Sequence, residues 1–396
     1  MSAGAAFVSV GAMKPLRWLG LTAFLAGLAV HAAETPLPDG LYAEFGTPRG
    51  SFVAQLFYER TPMTCASFVG LAEGTLAPRN GRPFYTGLRW YRVVPGFVIQ
   101  SGDPTTPSGG IQERAARGEP EDPAGHPYSF PDEFVPGLRH DAVGMLSMAN
   151  DGPDTNSTEF FLTLAPTNRL NYLHSVFGKV IRGLDVLPQV QPDDPCTIRI
   201  RRIGSAAAAF RADPAAFQAR VAAAKKYPGR PLPGPAAHCD DPDRLLPVDP
   251  PRAKNFNFKL ANFERTTGVR VVARLFAHAP AEAAANPRQL GAWVRELAAQ
   301  LGVAKAGALA VYLADRDEWR LWFGDDTVTK FVGHAAGMDE LMAAKEAFVA
   351  AARAAGDADY AAQKKAAPAD RPPAPGQHLK LQTDAILDGL ILKLEP

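Results

Sequence analysis

The stretch that decides the reading is Trp90-Tyr91-Arg92-Val93-Val94-Pro95-Gly96-Phe97-Val98-Ile99-Gln100-Ser101-Gly102-Asp103. A charged arginine stands on an apolar strand, and a Pro-Gly turn follows at once. Successive strand residues face opposite sides, so Arg92 and Val94 share one face, and the turn brings Phe97 and Gln100 back towards it. A strand arginine alone is ordinarily a surface ion-pair partner. Beside Pro-Gly-Phe and Gln100 it reads as a placed hydrogen-bond donor.

Two further stretches belong with the first. In 144–161, Gly-Met-Leu-Ser-Met runs into the turn residues Ala149-Asn150-Asp151-Gly152-Pro153 and on to Glu159-Phe160-Phe161. Alternation sends Phe160 inward if Phe161 faces out. In 168–180, Asn168-Arg169-Leu170-Asn171-Tyr172-Leu173-His174 leads into Ser175-Val176-Phe177-Gly178-Lys179-Val180. A single histidine such as His174 is as often structural as functional, and Asn150 reads equally as a turn residue whose backbone matters more than its amide.

Around these stretches, short strands recur at 41–45, 51–57, 88–94, 97–101, 142–148, 159–164, 176–180 and 197–203, with a Thr-Pro-Arg-Gly turn joining the first two. Thr61 followed by Pro62 predicts a helix start, and Gly74 its end. Many short strands with few helices predict a closed antiparallel barrel, which leaves no edge exposed. Residues 104–127 read as a long surface loop.

All three stretches, in this order, resemble the cyclophilins, a family of prolyl isomerases. The matching patterns are R-[IV]-[IV]-P-G-F-x-x-Q-x-G-D at 92–103, L-S-M-A-N-x-G-P-x-T-N-x-x-[QE]-F-F at 146–161 and L-x-x-x-H-x-V-F-G-x-V at 170–180. The resemblance implies an eight-stranded antiparallel barrel capped by two helices, with the site on its outer face. It implies that Arg92 is the catalytic arginine and that Phe97, Phe161 and Leu170 line a proline pocket. Gln100, Ala149, Asn150 and His174 would line the groove for the peptide backbone. Val98 stands where the family often has Met, Glu159 replaces the commoner Gln, and both count as substrate-binding positions. Arg169 stands where many members carry Trp, which argues against tight cyclosporin binding. No cofactor is implied, because rotation about an amide needs neither a nucleophile nor a proton transfer. The rival reading is a non-catalytic proline-peptide-binding or chaperone module; a pure binder has no need of Arg92.

Beyond the barrel (38–205), residues 206–226 read as an Ala-rich helix and 227–252 as a Pro- and Asp-dense stretch with little core, so 206–254 is predicted to be a linker. From 255 to 356, predicted helices at 259–266, 287–301 and 338–355 alternate with strands at 268–276, 308–314 and 319–323, which indicates a smaller α/β domain of unassigned role. Its opening faintly resembles the exported TPM-type domain. Asp325 and Asp326 after Gly324 read as a solvated turn rather than a cation site. The tail, 357–396, is predicted to be loose up to Gly376, and its apolar end, 385–394, to dock or to pair two copies.

The chain has 396 residues, a net charge of +1, 46% hydrophobic and 21% charged residues. That balance excludes a disordered chain and gives no reason to invoke nucleic acid. Lys14 and Arg17, an apolar run over 19–30 and small residues at Ala32 and Ala33 predict a secretory signal peptide over 1–33, cleaved after Ala32 or Ala33. The run is shorter than the ~20 residues a spanning helix needs, so export without a stable membrane span, to the bacterial periplasm or beyond, is expected. Translation from Met13 would keep the whole pattern. Cys65, Cys196 and Cys239 read as buried thiols, with a Cys196–Cys239 bond as the alternative. Eight scattered histidines and no C-x-x-C imply no metal site. The expected partners are proline-containing polypeptides.

Overall fold

The computed structural model describes residues 1, 35–77, 82–103, 129–229, 234–247, 252–368 and 372–396. Most of the predicted signal peptide and the whole of the 104–127 loop lie outside them.

Strands β1 (Gly40–Thr47) and β2 (Gly50–Leu56) form the expected hairpin. β3 (Arg92–Val94), β4 (Val98–Ser101), β5 (Met145–Met148), β6 (Phe160–Thr163), β7 (Val176–Arg182) and β8 (Thr197–Ile203) complete one sheet in the order β3-β4-β6-β5-β7-β2-β1-β8, antiparallel throughout. Its two ends meet where Arg89 bridges Pro195. There Trp90 N donates to Asp194 O at 3.0 Å and Cys196 N to Leu88 O at 2.9 Å. The barrel is closed, and alternation does the rest. Phe45, Phe52, Trp90, Phe160 and Phe177 turn inward onto Phe68, with neighbouring rings 4.8–6.2 Å apart.

Phe68 belongs to α1 (Pro62–Glu73), which starts at Pro62 and ends on left-handed Gly74 (φ 77°) as predicted. Its cap differs. The Thr61 hydroxyl turns back to Phe57 O, and the Glu133 carboxylate takes the free backbone groups of the first turn instead. Met63 N, Thr64 N and the Thr64 hydroxyl donate to it at 3.1, 2.8 and 2.8 Å. A carboxylate at a helix N-terminus satisfies both the orphan N–H groups and the dipole.

The predicted single helix over 206–226 is two: α2 (Ser205–Ala209) and α3 (Pro214–Ala223), interrupted by Asp213, whose side chain caps Ala216 N, and by Pro214. They are barrel, not linker. Phe217 is buried edge-on against Phe130 (5.6 Å), Phe210 meets Tyr58 (5.4 Å), and α3 packs on α1.

The C-terminal region is an α/β layer, as its alternation implies. The strands are β9 (Cys239–Asp240), β10 (Arg270–Phe276), β11 (Gly307–Leu313) and β12 (Glu318–Phe323), ordered β12-β11-β10-β9, with β10 parallel to both neighbours and β12 antiparallel. The helices are α4 (Arg252–Thr267), α5 (Ala281–Ala284), α6 (Pro287–Gln300), α7 (Asp325–Val332), α8 (Met338–Ala366) and α9 (Gln377–Leu394). Leu290 and Val294 of α6 cover one face through Val272, Leu309 and Val311, while α4 and α9 share a second core on the other. Asp325 and Asp326 are the acidic first turn of α7, a dipole-favoured position.

Two expectations fail here. The Pro/Asp-dense stretch supplies strand β9 and buries Cys239 and Leu246 in the second core. The tail is helical to Ala366, not loose beyond Gly356. Its apolar end docks on its own domain, the first of the two alternatives: Ile386, Leu387, Leu390, Ile391 and Leu394 are all buried. Helix α4 also starts earlier than its sequence suggests, because Asn257, Lys259 and Asn262 are buried and mask its apolar stripe of Phe256, Leu260 and Phe263.

All three cysteines are buried and unbonded, Cys65 and Cys196 in the barrel core and Cys239 in the second. Burial pushes the Cys196 and Cys239 thiols up to about 12 and Cys65 higher still. A thiol reagent at pH 8 is therefore expected to label none of them in the native chain and all of them in denaturant. Rapid native labelling would contradict this packing.

Candidate active site

Strand pairing assembles the site. Arg92 lies opposite Gln100 in β3–β4, and Gln100 opposite Phe161 in β4–β6. Arg92 Nη1 donates to Gln100 Oε1 at 3.1 Å, and its guanidinium lies 5.9 Å from the centre of the Phe97 ring. Among the described residues no protein acceptor takes the other N–H groups of Arg92. Gln100 is held in turn: its Nε2 donates to the Glu159 carboxylate at 2.9 Å and contacts the Tyr91 hydroxyl, which itself donates to Glu159. The carboxylate thus orients the glutamine that orients the arginine.

Phe161 faces outward as alternation requires. Its ring stacks on His140 (5.7 Å, 16°) and meets His174 edge-on (5.4 Å, 86°). Leu170 ends the 3-10 turn Asn168–Leu170 and is half-buried. Val98 shares the outer face with Gln100 but is 2% exposed, so it underlies the cleft and offers substrate little surface. Arg169 stands over Phe97, its guanidinium 4.6 Å from the ring centre. A flat cation thus covers an aromatic ring at the position where the resemblance leads one to expect Trp in many members.

Ala149 and Asn150 lie on the rim, half-buried. The Asn150 amide is spent internally: Nδ2 donates one hydrogen to Leu173 O (2.9 Å) and shares the other between Asp132 Oδ1 and Asn156 Oδ1 (3.3 Å each), while Oδ1 accepts from Gly152 N (3.4 Å). Only its backbone remains for a ligand. His174 donates from Nδ1 to Met148 O at 3.0 Å, which leaves Nε2 as an acceptor. Burial lowers its pKa to about 4, and that of His140 to about 3. Both rings are neutral near pH 7, and an arginine keeps its charge across the working range. We expect kcat/KM to be flat between about pH 5.5 and 8. A histidine-like inflection near the ordinary value of about 6.5 would show that His174 is not shielded in this way.

The sequence-predicted residues Arg92, Phe97, Val98, Gln100, Glu159, Phe161, Leu170 and His174 gather on one face of the barrel, with Ala149 and Asn150 at its rim. Two supporting groups escaped the sequence reading. Alternation over the predicted 88–94 strand sets Tyr91 on the face opposite Arg92, whereas the observed strand begins only at Arg92, and His140 lies outside every strand.

A family model described as cyclophilin type peptidyl-prolyl cis-trans isomerase/CLD matches residues 42–203. The peptidyl-prolyl cis-trans isomerase-like 1 of Aspergillus fumigatus is 40% identical over 147 residues, which cover 37% of this chain and 79% of the relative. The chain belongs to the cyclophilin-type peptidyl-prolyl isomerases. The peptidyl-prolyl cis-trans isomerase A of Mycobacterium tuberculosis is 42% identical over 146 residues, 35% of this chain and 72% of that protein. A crystal structure of a Cryptosporidium parvum cyclophilin type isomerase aligns at 28% identity with a TM-score of 0.32, covering 41% of this chain and 97% of that one. The matched share of this cyclophilin is its barrel, and the α/β region lies outside it.

The cyclophilin barrel also carries a residue under strain. Tyr172 holds φ at +59°, which a bulky side chain adopts only when its surroundings impose it. Here the turn is closed locally by Leu173 N and His174 N donating to Leu170 O, and the α/β domain packs on it. Asn262 Nδ2 of α4 donates to Tyr172 O at 2.8 Å, Phe263 meets the ring edge-on at 5.2 Å, and the hydroxyl donates to Glu395 at 2.5 Å. The segment bearing Leu170 and His174 is thereby fastened to the second domain.

Proposed function

We propose that this cyclophilin accelerates X-Pro rotation in polypeptides exported from the cell, as a folding catalyst. The observation that carries the catalytic part is the Arg92 guanidinium, braced by Gln100 and Glu159 beside Phe97 with donors to spare.

Amide resonance sets the rotation barrier at ~18–20 kcal/mol. Conjugation is lost midway, when the prolyl nitrogen becomes pyramidal and gains a usable lone pair. A fixed cationic donor beside that nitrogen stabilises the twisted amide more than either planar form, which is what acceleration requires. Phe97, Phe161 and Leu170 hold the pyrrolidine ring while the other side of the bond turns. Each 1.36 kcal/mol of such preference gives tenfold, so ~6 kcal/mol gives more than ten-thousand-fold.

Export rests on the N-terminal pattern of basic start, apolar run and small-residue exit. The test has two parts. The protein should speed the proline-limited refolding of an exported substrate in proportion to its concentration. The N-terminus of the cell-derived protein should be found just after Ala32 or Ala33. An intact leader on a protein confined to the cytosol would sink the export reading and leave the isomerase untouched.

A further inference from the structure

Helix α4 does more than fasten the barrel, for it also walls a cavity beside the groove. This cavity of about 170 Å³ has Asn150, Leu173 and His174 on the barrel side and Asn255 and Phe258 on the helix side. Asn150 and His174 are also groove residues, so the cavity adjoins the groove. It is smaller than the ~300–1,000 Å³ that drug-sized ligands occupy, and it suits one side chain. Its walls are fixed. A Cβ on Gly152 would lie 3.7 Å from the Phe258 ring, Phe258 is braced edge-on by Tyr227 at 5.8 Å, and Arg265 of the same helix pairs with Asp154 at 3.2 Å.

The chemistry of the lining indicates the occupant. Phe258 and Leu173 offer apolar walls for a stem. The Asn150 and Asn262 amides are already bonded to the barrel backbone, whereas Asn255 is exposed at the rim and no protein partner takes its amide among the described residues. His174, with Nδ1 committed, has an acceptor at Nε2. We infer that this cavity is a subsite of the isomerase for one residue flanking the proline, and that it selects a side chain ending in an amide or hydroxyl.

The inference rests on the isomerase reading and is separable from it. Full-length protein is assayed with proline peptides in which each flanking position in turn is Ala, Leu, Gln or Lys. At one position Gln should exceed Ala by about fivefold in kcat/KM, the worth of one net neutral hydrogen bond. Asn255→Ala should remove that preference for want of the partner, and Asn255→Trp should remove it by filling the space. Because Asn255 is exposed, both variants should melt with the parent. A panel flat at every position, a preference for Lys or Leu instead, or a Gln preference that survives both substitutions would overturn the subsite while leaving the isomerase standing. Failure to turn over any peptide would overturn both.

Discussion

Replacing Arg92 with alanine is expected to lower kcat/KM on a proline peptide by about a hundred- to a thousandfold, the usual cost of removing one preorganised transition-state donor. The fold should survive, because Arg92 is only half-buried and its hydrogen-bond partner is the side chain of Gln100, which retains Glu159. Binding of the planar substrate should change far less, since Phe97, Phe161 and Leu170 remain. The loss therefore belongs in kcat rather than in KM. Arg92→Lys should recover only part of it, because an ammonium lacks the planar fork that meets Gln100 and the prolyl nitrogen together. The decisive measurement is the isomer-exchange rate of a proline peptide by NMR, with circular dichroism as the check on folding. An alanine variant within a few-fold of the parent would mean that rate acceleration comes from the apolar cleft alone.

The second large effect concerns stability. Lys259 of α4 is 1% exposed, and its ammonium lies 2.5 Å from Asp388 and 3.9 Å from Asp384 of α9. Asp384 has a second partner in Lys380 at 2.7 Å. Among the described residues Lys259 alone lies within ion-pair distance of Asp388, on which Lys380 acts only from further off. Lys259→Ala is expected to cost about 3–5 kcal/mol at neutral pH, since it strands a buried carboxylate. Burial already raises the Asp388 pKa and Lys259 opposes that rise, so removing the lysine raises it further. A folded pKa above the unfolded value favours the protonated form in the native state. The penalty is therefore complete above the folded pKa and shrinks as pH falls towards the unfolded value near 4. Urea unfolding of parent and variant at several pH values reads this difference directly. The double replacement Lys259→Met with Asp388→Leu should cost less than Lys259→Ala alone, because it removes both charges and keeps the volume. A double variant as unstable as the single one would mean that the damage is loss of packing rather than a stranded charge.

These two residues also mark how far the sequence can be read. Arg92 was legible because everything that gives it meaning lies close by in the chain. Strand alternation, a Pro-Gly turn and Gln100 eight residues on determine which face it shares. The same local rules turned Phe160 inward and Phe161 outward, and eight short strands without an exposed edge implied a closed barrel. Lys259 was opaque because its partner lies 129 residues away, and a lysine among polar neighbours looks solvated until a second helix covers it. The α1 cap went to Glu133 rather than the adjacent Thr61 because the 133 loop happens to arrive there with a better acceptor. Helix α9, which by sequence could equally dock or pair two copies, is core because it covers, with α4, one face of the sheet. The sequence by itself determined the barrel, since period-two patterns and tight turns act over a few residues, and it pointed to the chemistry at the groove through three motif stretches that resemble the cyclophilins. Only the tertiary structure decided where the second domain sits and that its α4 walls the space beside His174. Those contacts join segments about a hundred residues apart, and no local preference encodes them.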